Sequence, residues 1–327
     1  MKNSNFISES VFETNLNYVR LQNKTKELFF KCLDEGRSES YFKAHLKEIW
    51  GNVDYSYLED GIHEYETLMH EINTGEKVEA KDLKVEKVLP LVALSVIKKI
   101  DDKFQNVKVI EYKNCLKSYG YKTAKDTYLN KVQERYTNQT VPYYSKKTGE
   151  LIRYVQPSTY NSMIHNTNLT RTGWNTTLHD GDELDQDMYY IPGHNFSCPE
   201  CADYQNKPMS KRDVMDLIGD AEEGEEELLH PNCKCVLTFY EGKKLKPYTS
   251  KQKAEMEEQY QIRQKVNTLT LRKEELLSDM KIAKSRGEEG LYDKYNQLRN
   301  KVNSEIRELK SALPTAELQK QVVAINR

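Results

Sequence analysis

Six sulfur and imidazole side chains crowd into one stretch of this 327-residue chain, in the order His194-Asn-Phe-Ser-Cys198-Pro-Glu-Cys201, then 28 positions, then His230-Pro-Asn-Cys233-Lys-Cys235. Two cysteines separated by two residues form a knuckle whose sulfurs converge on one ion, and His-x-x-Cys supplies a second such pair. Four soft or borderline ligands in tetrahedral array, with no open position, describe a structural zinc site. The expected ligands are Cys198, Cys201, His230 and Cys233. Cys235 is the alternative to His230, because alternate residues of an extended segment face the same side. His194 is expected to pack in the loop or support a ligand rather than bind the ion itself.

Other chemistries fit these residues less well. A redox Cys-x-x-Cys favours a helix start in a βαβ setting, whereas Pro199-Glu200 reads as loop. Disulfides are not expected, since the N-terminal stretch lacks an apolar core of signal-peptide length and six cysteines are few for so long a chain. A catalytic zinc would need a water-bearing position and a general base; Glu200 is the nearest candidate and reads as solvent-facing. His165 and His179, near Asp180, Asp182 and Glu183, could form a second metal site but read as loop polarity. The acidic run from Asp220 to Glu227 reads as a solvated loop. Cys32 and Cys115 fall in helical patterns and are expected to pack as small apolar groups.

Composition narrows the function classes. A formal charge of −2 argues against a whole-molecule polyanion binder. Lys207, Lys211, Arg212 and the Gly242-Lys-Lys-Leu-Lys-Pro247 stretch leave room for a local basic patch, which is more simply a solubilising surface. The longest apolar run, Val88 to Ile97, is about half of a membrane span. Neither a Walker phosphate loop nor a Gly-x-Ser-x-Gly elbow occurs.

The elements that must position the cysteines follow from periodicity. From Val11 to Asn138 apolar residues recur at three and four, as in Phe42, Leu46 and Trp50 or Leu58, Tyr65 and Leu68, and predict successive helices. A helical pattern from Lys81 to Phe104 carries Pro90 as a kink or restart. Two β-prone runs flank Lys146-Lys-Thr-Gly149 as a hairpin, and Pro157 opens a helix through Trp174. Asp187–Pro192 and Cys235–Tyr240 read as strands entering and leaving the cluster, and Ser210–Gly219 as a short amphipathic helix between them. Beyond Gly242, Val266, Leu269, Leu276, Met280 and Ala283 form one heptad seam, and Leu291, Tyr295, Leu298, Val302, Ile306 and Leu309 a second. A Gly-containing turn joins them into an antiparallel hairpin ending before Pro314. The expected architecture is mainly α: an N-terminal helical domain over 1–139, a small α+β zinc-containing domain over 140–242, and a C-terminal amphipathic helical hairpin over 243–327.

Particular residues carry a resemblance. Tyr160-x-x-Met163 with Asn168-Leu-Thr-Arg171, a strand ending at Gly193-His194, Cys198-x-x-Cys201 with Gln205-Asn-Lys207, and above all His230-Pro-Asn-Cys-Lys-Cys235 resemble the bacteriophage minor capsid protein 2 family and the related minor head proteins named after protein F of phage Mu. The likeness runs from about 140 to 325. It implies a structural protein without turnover, made in the host bacterial cytoplasm and carried in the capsid interior near the portal. There it would contribute to head assembly, DNA packaging or ejection. Implied partners are the portal or major capsid protein, with packaged DNA a neighbour by proximity, no membrane, and self-association through the C-terminal helices. The readings set against it are a zinc-dependent hydrolase carried in the virion and a DNA-binding zinc module.

Overall fold

The computed structural model describes residues 2–51, 53, 55–77, 94–119, 125–136, 141–144, 151–218 and 233–323. The region around Pro90, the hairpin turn, the acidic run and His230 lie outside them. Helices dominate: α1 (Lys2–Asp34), α2 (Glu39–Gly51), α3 (Ser56–Thr74), α4 (Leu94–Tyr119) and α5 (Lys125–Arg135) precede the antiparallel pair β1 (Val141–Tyr144) and β2 (Leu151–Val155). The long helix α6 (Pro157–Glu183) then leads into β3 (Met188–Tyr190), α7 (Pro199–Ala202), β4 (Pro208–Ser210), α8 (Lys211–Ile218) and β5 (Thr238–Phe239). These three strands form an antiparallel sheet in the order β4-β3-β5. The chain continues through α9 (Ser250–Ser285), α10 (Glu289–Ser311) and α11 (Ala316–Val323). No described helix is long and apolar enough to cross a membrane.

The N-terminal helices close on an aromatic core. Phe29, Phe30, Phe42, Trp50, Phe104, Tyr112 and Tyr136 are buried together, with Phe29 packed edge-on against Phe42 and Tyr112 at ring separations of 5.7 and 5.3 Å. Cys32 is buried in this core and Cys115 packs at its edge, as small apolar groups.

The helix opened by Pro157 runs nine residues beyond Trp174, to Glu183. His179 therefore stands on the same helix as His165 rather than in a loop. This helix is buried on nearly every side, against α1, α3 and α4 and against β5. Its close neighbours need glycine: a Cβ at Gly173 would come within 2.6 Å of the Tyr65 ring on α3. His165 is 1% exposed and shares a 2.7 Å hydrogen bond between its Nε2 and Ser10 Oγ on α1.

The C-terminal hairpin is present as α9 and α10. Leu276, Met280, Ala283 and Tyr295 are buried between them, and Val266 and Ile306 join Leu313 and Leu318 farther along. The second face of α9 was not legible as a seam. It lies on α1 through a buried ion pair between Lys26 and Asp279, a bond from Asn23 Nδ2 to Glu274 O, and Ile282 inserted into the aromatic core. Polar contacts of this kind leave no apolar periodicity.

Burial pushes His165 down from 6.5 to about 4. The unfolded chain thus takes up a proton between these values that the fold refuses, and stability falls as pH drops through that window by up to about 3 kcal/mol. Denaturant unfolding of wild type and H165Q between pH 7 and pH 4 should show the variant losing correspondingly less. Parallel pH profiles would refute the assignment.

Candidate metal centre

The cluster is assembled from a loop, a single helical turn and an extended segment. Cys198 caps α7, its Sγ accepting from the Cys201 backbone N–H at 3.3 Å, and this one turn swings the two side chains together. Cys233 and Cys235 follow on the extended segment that runs into β5, and the Cys235 N–H points at Cys233 Sγ at 3.5 Å. Such N–H to sulfur bonds serve thiolates well, because they add donors without adding a competing ligand.

The sulfurs of Cys201, Cys233 and Cys235 all lie within 4.8 Å of one another, and those of Cys201 and Cys233 are 3.7 Å apart. Two sulfurs bound to one tetrahedral zinc at about 2.3 Å would stand about 3.8 Å apart. A disulfide would need about 2.05 Å, and all six cysteines are free thiols. The set therefore fits a soft divalent ion. Its neighbours Cys198, Cys233 and Cys235, together with burial, hold the Cys201 thiol above the usual range, a bias that a bound cation reverses.

Of the residues expected from spacing, Cys201 and Cys233 are brought together here with Cys235, the alternative ligand, while Cys198 stands beside Cys201 but outside that three-sulfur group. His194 is also close. Its Nδ1 donates to Asn195 O at 3.0 Å, leaving the Nε2 lone pair 3.7 Å from Cys235 Sγ. The Phe196 backbone beside it takes φ of 60°, and the ring packs with Val266 and Ile306 of the hairpin. A Cβ at Gly193 would fall 1.7 Å from Tyr248 Oη, so only glycine lets the approach to α9 close over this loop.

Several supporting residues escaped the sequence reading. Gln205 Nε2 donates to Cys235 Sγ at 3.6 Å and also to Ser197 Oγ. More extensively, α6 holds the cysteine segment by its backbone. Asn166 Nδ2 and Thr170 Oγ1 donate to Cys233 O at 2.8 and 2.7 Å and Trp174 Nε1 to Cys235 O at 2.8 Å, while the Thr177 hydroxyl is shared between Gly173 O at 3.0 Å and Leu237 O at 3.3 Å. The spacing matches: four residues advance about 6 Å along a helix, and two residues advance about 6.6 Å along an extended chain. Hydrogen-bond donors recurring at four and three, Asn166, Thr170, Trp174 and Thr177, were the available signal, but the Asn and Thr positions resemble a solvated face.

Residues 66–275 match the model of a family described as phage minor capsid protein 2. The chain belongs to this family. No curated protein and no solved structure matches it. The span that marks it as a minor capsid protein takes in α6, the cysteine cluster and most of α9, so the family relationship and the candidate metal centre occupy the same part of the fold.

A second group, His179, Asp180 and Glu183, also brings three ligand atoms within 4.8 Å. Its fully buried member is already engaged: Asp180 accepts from Asn73 Nδ2 at 2.8 Å and lies 2.7 Å from His70 Nδ1. This carboxylate ties α3 to α6, and the group is accounted for by helix packing.

Replacing Trp174 by Phe removes the indole N–H together with part of the buried ring and strands the Cys235 carbonyl, which should cost at least about 1–3 kcal/mol in urea unfolding. T170V, which leaves Asn166 on the same Cys233 carbonyl, should cost clearly less. Equal costs would show that the ladder does not hold the segment in this way.

Proposed function

We propose that this minor capsid protein is a non-enzymatic structural component of the phage head, held in the capsid interior beside the portal vertex. There it contributes to head assembly, DNA packaging or ejection through contacts with the portal or major capsid protein. Family membership carries this reading. The cysteine cluster supports a structural role: Cys201, Cys233 and Cys235 are at most 2% exposed, which suits a closed site better than one that exchanges water and substrate.

The proposed ion is zinc, bound by Cys198, Cys201, Cys233 and Cys235, with Gln205 donating to the Cys235 sulfur. Zinc would supply folding energy to a segment whose own apolar core is small. The notional divisions at 139 and 242 then separate a helical region available for portal or capsid contact from the metal-stapled middle and a hairpin available for assembly.

Elemental analysis of the purified chain should find about one zinc per chain. C201S, C233S and C235S should lose it, whereas H230Q should retain it; the reverse result for C235S and H230Q would hand that position to His230. In purified DNA-filled heads the chain should be present in far fewer copies than the major capsid protein. Its absence from such heads would sink the structural reading.

A further inference from the structure

Beside the cysteine cluster, α1, the start of α6, α9 and the His194–Cys201 stretch enclose a cavity of about 310 Å³. Its lining includes two basic side chains, Lys234 and Arg263, the cluster residues Cys198 and Cys201, and no carboxylate. Arg263 is only 8% exposed, with its guanidinium carbon 5.0 Å from the centre of the Phe196 ring. Its Nε is buried and has no hydrogen-bond partner among the described residues. Two further lining atoms, Asn15 Oδ1 and Asn267 Oδ1, are buried in the same condition. Glu9, the carboxylate whose charge acts on Arg263, is exposed and forms no ion pair with it.

A guanidinium buried without an anion is costly, and the cost is recovered when a ligand supplies the acceptors. The cations could instead balance the charge of the thiolates. The donors found on the cluster sulfurs, however, include the Cys201 and Cys235 backbone N–H groups and Gln205, whereas neither Lys234 nor Arg263 bonds to a sulfur.

We propose that this cavity is a binding site for a phosphate group, with the Arg263 guanidinium as its charged donor and Lys234 and the Asn15 and Asn267 amides, turned to present Nδ2, as further donors. The donors come from three sides, α1, α9 and the segment after Cys233, which suits a tetrahedral oxyanion better than a flat carboxylate. The space exceeds one phosphate, so the group fits as an ester, either on a free nucleotide or in a nucleic-acid backbone. This site goes beyond the head-protein reading and does not depend on it.

The test is calorimetry and phosphorus NMR on the full-length chain, with metal content counted in parallel. Inorganic phosphate should bind saturably, and R263Q and N267L should each weaken it at least about tenfold while metal content stays unchanged. A nucleoside monophosphate and a short single-stranded oligonucleotide distinguish the sources: tighter, Arg263-dependent binding of the oligonucleotide, displaced by phosphate, assigns the site to a backbone phosphate. The converse ranking assigns it to a free nucleotide. Absence of saturable binding by the wild-type chain would overturn the proposal. So would loss of metal from R263Q in a chain that ignores phosphate, which would make the cations counter-charge only. Binding of an acidic peptide but no phosphate would equally reject it, in favour of a protein partner.

Discussion

The run of side-chain donors from α6 to the carbonyls of Cys233, Cys235 and Leu237 is the interaction on which the middle of this protein depends. An extended segment normally satisfies its carbonyls by pairing with another strand. Here only Thr238 and Phe239 enter the sheet, and the preceding residues are served by a helix instead. The segment is thereby fixed in register, because each donor meets a particular carbonyl. That register decides which side chains face Cys201, so the cysteine cluster rests on backbone bonds made away from its sulfurs.

The same helix transmits this placement outward. Asp180 joins it to α3, His165 to α1, and Asn161 Nδ2 reaches the buried carboxylate of Asp101 on α4 at 3.3 Å. Burial pushes that carboxyl up to about 6, against the bonds from Tyr55, Asn161 and Tyr18 that favour its charge. Polar contacts of this kind are directional where apolar packing is not, and they hold α6 at one rotation about its axis. Helix α9 then clasps the assembly from the other side, with α10 on one face and α1 on the other. Phe196 links the loop before Cys198 to the α9–α10 seam, where it packs with Val266 and Ile306.

Much of this was legible from residue order. Periodicity at three and four marked the N-terminal helices, and the heptads at Val266–Ala283 and Leu291–Leu309 marked the hairpin, because a buried apolar face leaves its period in the chain. The strand at Met188–Tyr190 and the short helix at Lys211–Ile218 were readable for the same reason. Helix α6 was readable only as far as Trp174, nine residues short of its end. Its buried positions are largely asparagine, serine and threonine, and a polar residue that bonds a neighbour looks, in sequence, like one that bonds water.

The sequence alone therefore determined the chemistry on offer: clustered thiols at metal-binding spacing, helices before and after them, and motifs that mark a phage minor capsid protein. Ligand type and local period are properties of short stretches, so they survive in one dimension. Tertiary structure decided that Cys235 stands with Cys201 and Cys233, that α9 is shared between two neighbours, and that Arg263 is buried against Phe196 with its Nε lacking a hydrogen-bond partner among the described residues. Those facts depend on which residues far apart in the chain meet, and on the directions of bonds whose partners no local pattern records.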